Sequence, residues 1–386
     1  MTRTASAFSN QTDSRVATNE LAEQIAQSLQ TPQALVVFAS SQHDYALVLE
    51  VLTERFPETL LLGCSSAGEF GGSHLGEGSL SAFAISSRDM LFSVSMAQDI
   101  SSKPEAAAKQ LLAGFRGFSE AAYRYRTALI LNDALAGSAD ELVHMLNMQT
   151  GGKYKFFGGG AGDDAAFTRT HVFLGRKIAS NAAVALEILS TKPIGVGVRH
   201  GWSPASDAMR VTSATGTEVC SLDAVSTVEV FEHYARETGQ SLDTNAPVPF
   251  FLHNIAGIKL DNGYKLRVPL SIGPGGAVNF AAEIPEGSAV NIMTATAESS
   301  TSAAREATED ALMQLDENRP AGALLFDCVA TRLRLGKQFG NELAAVGETL
   351  GDIPMAGCNT YGQVASAEGQ FTGFHNCTAV ICVFPE

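Results

Sequence analysis

The run Gly63-Cys64-Ser65-Ser66-Ala67-Gly68-Glu69-Phe70 returns near the other end of the chain as Gly357-Cys358-Asn359-Thr360-Tyr361-Gly362-Gln363-Val364. Both glycine pairs and the cysteine coincide, and the flanking patterns agree. Before the first run, ALVVFAS (34–40) is an apolar stretch of strand length. The segment 43–56 then places Leu47, Val48, Val51, Leu52 and Phe56 on one helical face. Before the second run, GALLFDC (322–328) is the strand, and Phe339, Leu343, Val346 and Leu350 mark the helix. A middle copy has TALILNDAL (127–135), a helix opened by Ser138, and KFFGGGAGDD running into the strands HVFLG and NAAVALEIL. Strand-to-glycine spacing is similar in all three: Val36 to Gly63, Ile130 to Gly159 and Leu324 to Gly357. One strand–helix–strand–Gly-loop–hairpin unit therefore appears three times. The expected fold class is α/β, mixed α+β, with largely buried sheets, because the strands read as near-continuous apolar runs.

Composition narrows the function classes. The 386 residues include 41 acidic and 26 basic ones, a net charge of −15, and only 17% are charged. A hydrophobic share of 45% excludes disorder. The acidic balance disfavours nucleic acid, which needs clustered Lys and Arg, and equally an anionic membrane surface. No stretch has the roughly 20 apolar residues of a membrane span, and residues 1–20 lack the apolar core of a signal peptide. The expected organisation is a polar, mobile lead-in and helix over 1–33, an N-terminal domain over 34–222, a connecting helix over 223–239 capped by Asp223, and a C-terminal domain over 240–386. Cys64, Cys220, Cys328, Cys358, Cys377 and Cys382 form no CxxC pair. They read as free thiols of a cytoplasmic protein.

Catalytic signatures are missing. There is no GxxxxGK[ST] and no HExxH, and GCSSAG has one residue too many for a GxSxG elbow. The glycine loops remain. Each follows a strand, where backbone can approach a ligand closely and N–H groups can form an anion nest. The alternative is that these glycines serve turns and packing alone. Candidate ligand-binding residues are Cys64, Ser65, Ser66, Gly68, Glu69, Gly159, Gly160, Asp163, Cys328, Arg332, Asn359, Tyr361, Gln363, His375 and Asn376. Asp163 and Asp164 read equally as capping groups. Gln363, at the place of Glu69, cannot act as an acid, so no carboxylate pair forms. Arg332 beside Cys328 can favour a thiolate there.

These motifs together resemble the FIST family, named for F-box and intracellular signal-transduction proteins. The resemblance rests on GCSSAGEF, LILNDAL (129–135), FGGGAGDD (157–164), VGVRHGW (196–202), IPEGSAVNIM (284–293), LLFDCVATR (324–332), MAGCNTYGQV (355–364) and GFHNCTAVI (373–381), in order through nearly the whole chain. Gln363 departs from the family loop, which commonly has Glu. Asn359-Thr360 stands where an aromatic residue is often found. The resemblance implies a non-enzymatic bacterial sensor that binds a small ligand and signals through a separate histidine kinase, cyclic-di-GMP enzyme or chemoreceptor. Some members bind haem and sense nitric oxide, which implies a non-covalent haem b here, with His200 and His375 as axial candidates. Two other readings stay open: a thiol-dependent hydrolase or transferase using Cys64, Cys328 or Cys358, and a ligand-free interaction scaffold.

Overall fold

The computed structural model describes residues 1–72, 74–366 and 372–386. The first repeat comprises β1 (Thr2–Ser9), α1 (Ser14–Ser28), β2 (Ala34–Ala39), α2 (Tyr45–Arg55), β3 (Leu60–Ser65), β4 (Glu69–Gly71), β5 (His74–Gly76) and β6 (Leu80–Ser87). The second repeats the series as β7 (Met90–Gln98), α3 (Pro104–Leu112), β8 (Tyr125–Asn132), α4 (Ala139–Thr150), β9 (Lys155–Gly160), β10 (Val172–Leu174), β11 (Lys177–Ala179) and β12 (Ala182–Ser190).

The third repeat opens with β13 (Gly195–Arg199) and is then interrupted. The insertion carries β14 (Ser203–Pro204), β15 (Met209–Thr215), β16 (Glu218–Leu222), β17 (Val225–Ser226), α5 (Thr227–Glu237), α6 (Val248–Phe251), β18 (Ile255–Leu260), β19 (Gly263–Arg267), β20 (Pro269–Ile272), β21 (Val278–Phe280) and β22 (Ala289–Thr294). The repeat resumes with α7 (Ala297–Met313), β23 (Pro320–Cys328), α8 (Val329–Leu335), α9 (Phe339–Leu350), β24 (Met355–Thr360), β25 (Gln363–Ser366), β26 (Thr372–His375) and β27 (Ala379–Pro385).

Each repeat builds the same half-sheet. Its two central strands are parallel (β2 with β3, β8 with β9, β23 with β24), and its last strand returns antiparallel to the first of them. The small hairpin does not stay at home. The first repeat's β4 pairs with β24, the second's β10 with β3, and the third's β25 with β9. Three six-stranded sheets result, each completed by a neighbour's hairpin in a closed cycle.

The sheets enclose one core, in which Phe38, Phe157, Phe326, Cys64 and Cys358 meet. Helices cover the outer faces: α1 and α2 on the first sheet, α3 and α4 on the second, α7 and α9 on the third. Strands buried on both faces explain their continuous apolar runs. The insertion is a nine-stranded sheet with its own core around Phe231, Phe250 and Phe251. The chain division at 223–239 falls inside this insertion.

Three expectations need correction. Residues 2–9 are no mobile lead-in: they form β1, which pairs with β6 along its whole length and buries Ala5 and Ala7. Strands β6 and β7, consecutive in the chain, lie in different sheets. Asp223 does not cap α5. It sits in a left-handed conformation and accepts from the Arg210 N–H, and Ser226 holds the cap position. The middle repeat's frame shifts by one residue, because the residue equivalent to Gly63 and Gly357 is Gly158, not Gly159. These three glycines lie opposite Val37, Ile130 and Leu325. A Cβ at them would stand 2.0, 2.1 and 1.9 Å from the carbonyl oxygens of those residues. The close approach of paired parallel strands, rather than a ligand, demands glycine at all three.

Candidate functional site

The three loops meet at one end of the core and bond to one another in a ring. Asn359 N–H donates to the Gly68 carbonyl (2.8 Å) and Ala67 N–H to that of Asn359 (3.0 Å), joining the first and third loops. Gly160 N–H to Gly362 O and Tyr361 N–H to Gly160 O, both 2.9 Å, join the third and second. Gly162 N–H to Ser65 O (2.9 Å) and Asp164 N–H to Ser66 O (3.0 Å) close the circle. The convergence expected from the repeats is present. The anion nest is not, because these amides are spent on the ring itself.

Most sequence-selected side chains are structural members of that ring. Glu69 is fully buried, accepting from Ser66 Oγ (2.5 Å) and Ser79 N–H (3.0 Å). Burial pushes its carboxyl up to about 8, against the opposing pull of the Ser66 hydrogen bond. Arg332 lies over Gly68, where a Cβ would meet its Nη1 at 2.5 Å and Asn359 Oδ1 at 2.8 Å; Nη1 also faces Glu77 at 3.2 Å. Asp163 accepts from the N–H groups of Phe167, Thr168 and Arg169 and from the Tyr361 hydroxyl. Asp164 accepts from Ser40 Oγ and Ser41 N–H, both at 2.7 Å. Both aspartates cap backbone, the alternative their position left open. Cys64 and Cys358 are sealed in the core and hydrogen-bonded to each other. Ser65 holds His171 N–H at 2.9 Å. The Gln363 carboxamide satisfies its neighbours with Oε1 accepting from Cys328 N–H (3.3 Å) and Thr360 Oγ1 (2.9 Å) and Nε2 donating to Thr378 O (3.3 Å).

Cys328, Tyr361 and Asn376 do face open space. With Gly362 and Phe167 they line a cavity of about 70 Å³ that Val268, Leu270 and Ala281 of the insertion cover. The cavity thus lies between the ring and the inserted sheet. Phe167 stacks on Tyr361 at 4.4 Å between ring centroids. Asn376 is 2% exposed, and its Oδ1 has no hydrogen-bond partner among the described residues. Cys328 accepts hydrogen bonds from the Cys377 thiol and from the N–H groups of Cys377 and Ala330; these hold its thiol near 6 against the effect of burial. The Cys377 thiol, as the donor, is pushed well up.

Behind this pair lie the buried carboxyl groups of Asp327 and Glu342. Burial raises both carboxyls, Glu342 to about 7 against the pull of Asp327 and Arg334, and the Glu342 charge raises Asp327 further. Phe167, Cys377, Asp327, Glu342 and the insertion's apolar cover were absent from the sequence-selected set. Only the Cys in GFHNCTAV offered a signal there. Two larger surface hollows, of about 510 Å³ beside β1 and about 560 Å³ along α9, touch none of the selected residues.

The histidines named for haem do not fit that role in this conformation. His200 Nε2 bonds Tyr264 O at 3.2 Å, and its Nδ1 accepts from Trp202 N–H at 3.3 Å, so both ring nitrogens are committed. His375 is buried, and burial, with Lys265 and Arg267 nearby, depresses it to about 3. The space beside His200 is about 10 Å³. Neither this nor the larger cavity admits a porphyrin.

The molecule is thus a mixed α+β protein of three interlocked repeats, with an inserted sheet seated over the ring of loops. It belongs to the FIST family: the FIST N domain matches residues 33–225 and the FIST C domain residues 227–366. FIST domains are associated with sensing in signal transduction. No curated protein matches the chain. Among solved structures, cyanuric acid hydrolase from A. caulinodans is similar at 7% identity and a TM-score of 0.37, over 100% of both chains. T. maritima PurL complexed with ATP is similar at 10% identity and a TM-score of 0.23, over 99% of this chain and 71% of that one. Likeness at this level carries no inference. No helix among the described residues is long and apolar enough to cross a membrane.

Proposed function

We propose that this chain is a cytoplasmic sensor that takes a small, largely uncharged ligand in the cavity between the ring and the inserted sheet. It then signals through a separate partner such as a histidine kinase, a cyclic-di-GMP enzyme or a chemoreceptor. The observation that carries the reading is the unpaired Asn376 Oδ1 in a cavity with an otherwise mainly apolar lining. A buried acceptor without a donor costs about 1–3 kcal/mol, which a ligand N–H or O–H would recover. The cavity's floor belongs to the core and its roof to the insertion, so occupancy would alter how the two sit together. The volume favours a molecule of a few heavy atoms and does not favour haem b.

A panel of small amides, alcohols and amino acids tested by thermal shift checks this reading. Binding raises the melting temperature of the wild type, and Ala330→Leu, which fills the cavity, abolishes the rise. If Ala330→Leu and wild type respond alike to every compound, the site is wrong. A Soret band on adding haem would revive the nitric-oxide reading at another site. One observation favours a thiol-dependent enzyme instead: the Cys328 sulfur is an acidic thiol in a cavity. Turnover of an activated thioester that Cys328→Ser loses would establish that reading.

A further inference from the structure

We propose that Cys328 and Cys377 form a hydroperoxide-reactive pair, in which Cys328 is oxidised from the cavity and Cys377 closes a disulfide onto it. The proposal does not depend on which ligand the cavity serves. Its basis is placement. Cys328 ends β23 and lines the cavity. Cys377 lies in the turn between β26 and β27, on the side away from that cavity, where it faces a small polar space with Asp327 and Glu342. The two belong to one packed cluster with Trp202 and Ala330, and Cys377 donates its thiol hydrogen to Cys328. Backbone N–H groups of Cys377 and Ala330 also point at the Cys328 sulfur. A sulfur so surrounded by donors is held as thiolate near neutral pH, the form that attacks peroxides. The unpaired Asn376 Oδ1 in the same cavity can accept from a hydroperoxide O–H and orient it.

The chemistry balances. The Cys328 thiolate attacks the terminal oxygen of a hydroperoxide. An S–O bond forms, the O–O bond breaks, and the alkoxide that leaves takes from solvent the proton Cys328 had shed. The Cys377 sulfur then attacks the sulfenic sulfur. The S–S bond forms, and hydroxide leaves with the Cys377 proton as water. Two thiols lose two electrons, and the hydroperoxide is reduced to an alcohol and water. The other thiol pair supplies an internal control. Cys64 and Cys358 are also hydrogen-bonded to each other, but they are sealed in the central core.

The test treats the full chain with equimolar hydrogen peroxide and follows it by intact mass, peptide mapping and emission from Trp202, its single tryptophan. The wild type should lose two hydrogens, yield a peptide linking Cys328 to Cys377, and change its Trp202 emission. Reductant should reverse all three. Cys377→Ser should instead gain one oxygen, trapped by dimedone at Cys328, and Cys328→Ser should show neither product. Cys64→Ser and Cys220→Ser should behave as wild type. Oxidation of Cys220 or of the Cys64–Cys358 pair ahead of Cys328 would overturn the proposal. So would a wild-type peptide map without the Cys328–Cys377 link, a result that stands even if a variant fails to fold.

Discussion

Replacing Glu69 by Gln should flatten much of the pH dependence of stability and leave the fold intact. In the folded chain burial raises the Glu69 carboxyl from 4.5 to about 8. Between those values the folded state keeps a proton that the unfolded state has released. Stability is therefore full below the unfolded value and falls as pH rises through the window. A change of that size corresponds to about 5 kcal/mol across the window, an upper bound for a buried acid. Gln mimics the protonated form: its carbonyl can accept from the Ser79 N–H and its amide can donate to Ser66 Oγ, the two partners Glu69 has now. The protein already uses this solution. Glu69 stands opposite Cys358 in β24, and Gln363 holds the equivalent place opposite Gly159 in β9. The assay is urea unfolding of wild type and Glu69→Gln from pH 5 to 9, taking the difference at each pH. Asp327 and Glu342 titrate in the same direction but are common to both proteins and cancel. The difference should be small at pH 5 and grow in favour of the variant by several kcal/mol at pH 9. Parallel curves would refute the reasoning, because Glu69 would then be ionised in both states.

Gly357→Ala should cost about 3 kcal/mol or more in urea unfolding, since its Cβ would stand 1.9 Å from a backbone oxygen that cannot retreat without breaking the β23–β24 pairing. Gly347→Ala, in the interior of α9 with nothing within 4 Å, should instead stabilise by about 0.5–1 kcal/mol. Asp140→Ala should loosen the inserted sheet. Asp140 takes Lys265 Nζ and Arg267 Nη2 at 2.6 Å, and losing it strands the fully buried Arg267 at a cost of about 3–5 kcal/mol. Limited proteolysis should then cut within 203–294 first. Tyr361→Phe should lose about 2 kcal/mol with its hydrogen bond to the Asp163 carboxylate but keep the stack on Phe167, so melting should fall without loss of near-ultraviolet structure.

The exchanged hairpins give the fold its cooperativity. Each of the three six-stranded sheets contains strands from two repeats, so no repeat can leave without opening the sheet that receives its hairpin. The insertion is held differently, by the Asp140 contacts and the apolar cluster around Trp202 and Met293.

Local pattern alone determined the repeats. A parallel β-α-β unit writes its own period into the sequence, and the glycine that lets a second strand pass close to its neighbour's carbonyl cannot be replaced. Gly63 and Gly357 therefore stood out, and the loops of all three copies could be expected to gather. The thiol at Cys328, the tyrosine at 361 and the amide at 376 were legible as residue types beside those loops, and they are the ones that line the cavity. Tertiary structure decided the rest. Which repeat receives each hairpin depends on contacts between residues far apart in the chain, so Glu69 meeting Cys358 has no local signature. Whether a loop amide is free for a ligand depends on what other loop it touches, and here ring closure consumes the N–H groups of the glycine-rich loops. Cys377 became Cys328's partner only when the last turn folded back beside β23, because a thiol's acidity is set by the donors that surround it and not by its place in the sequence.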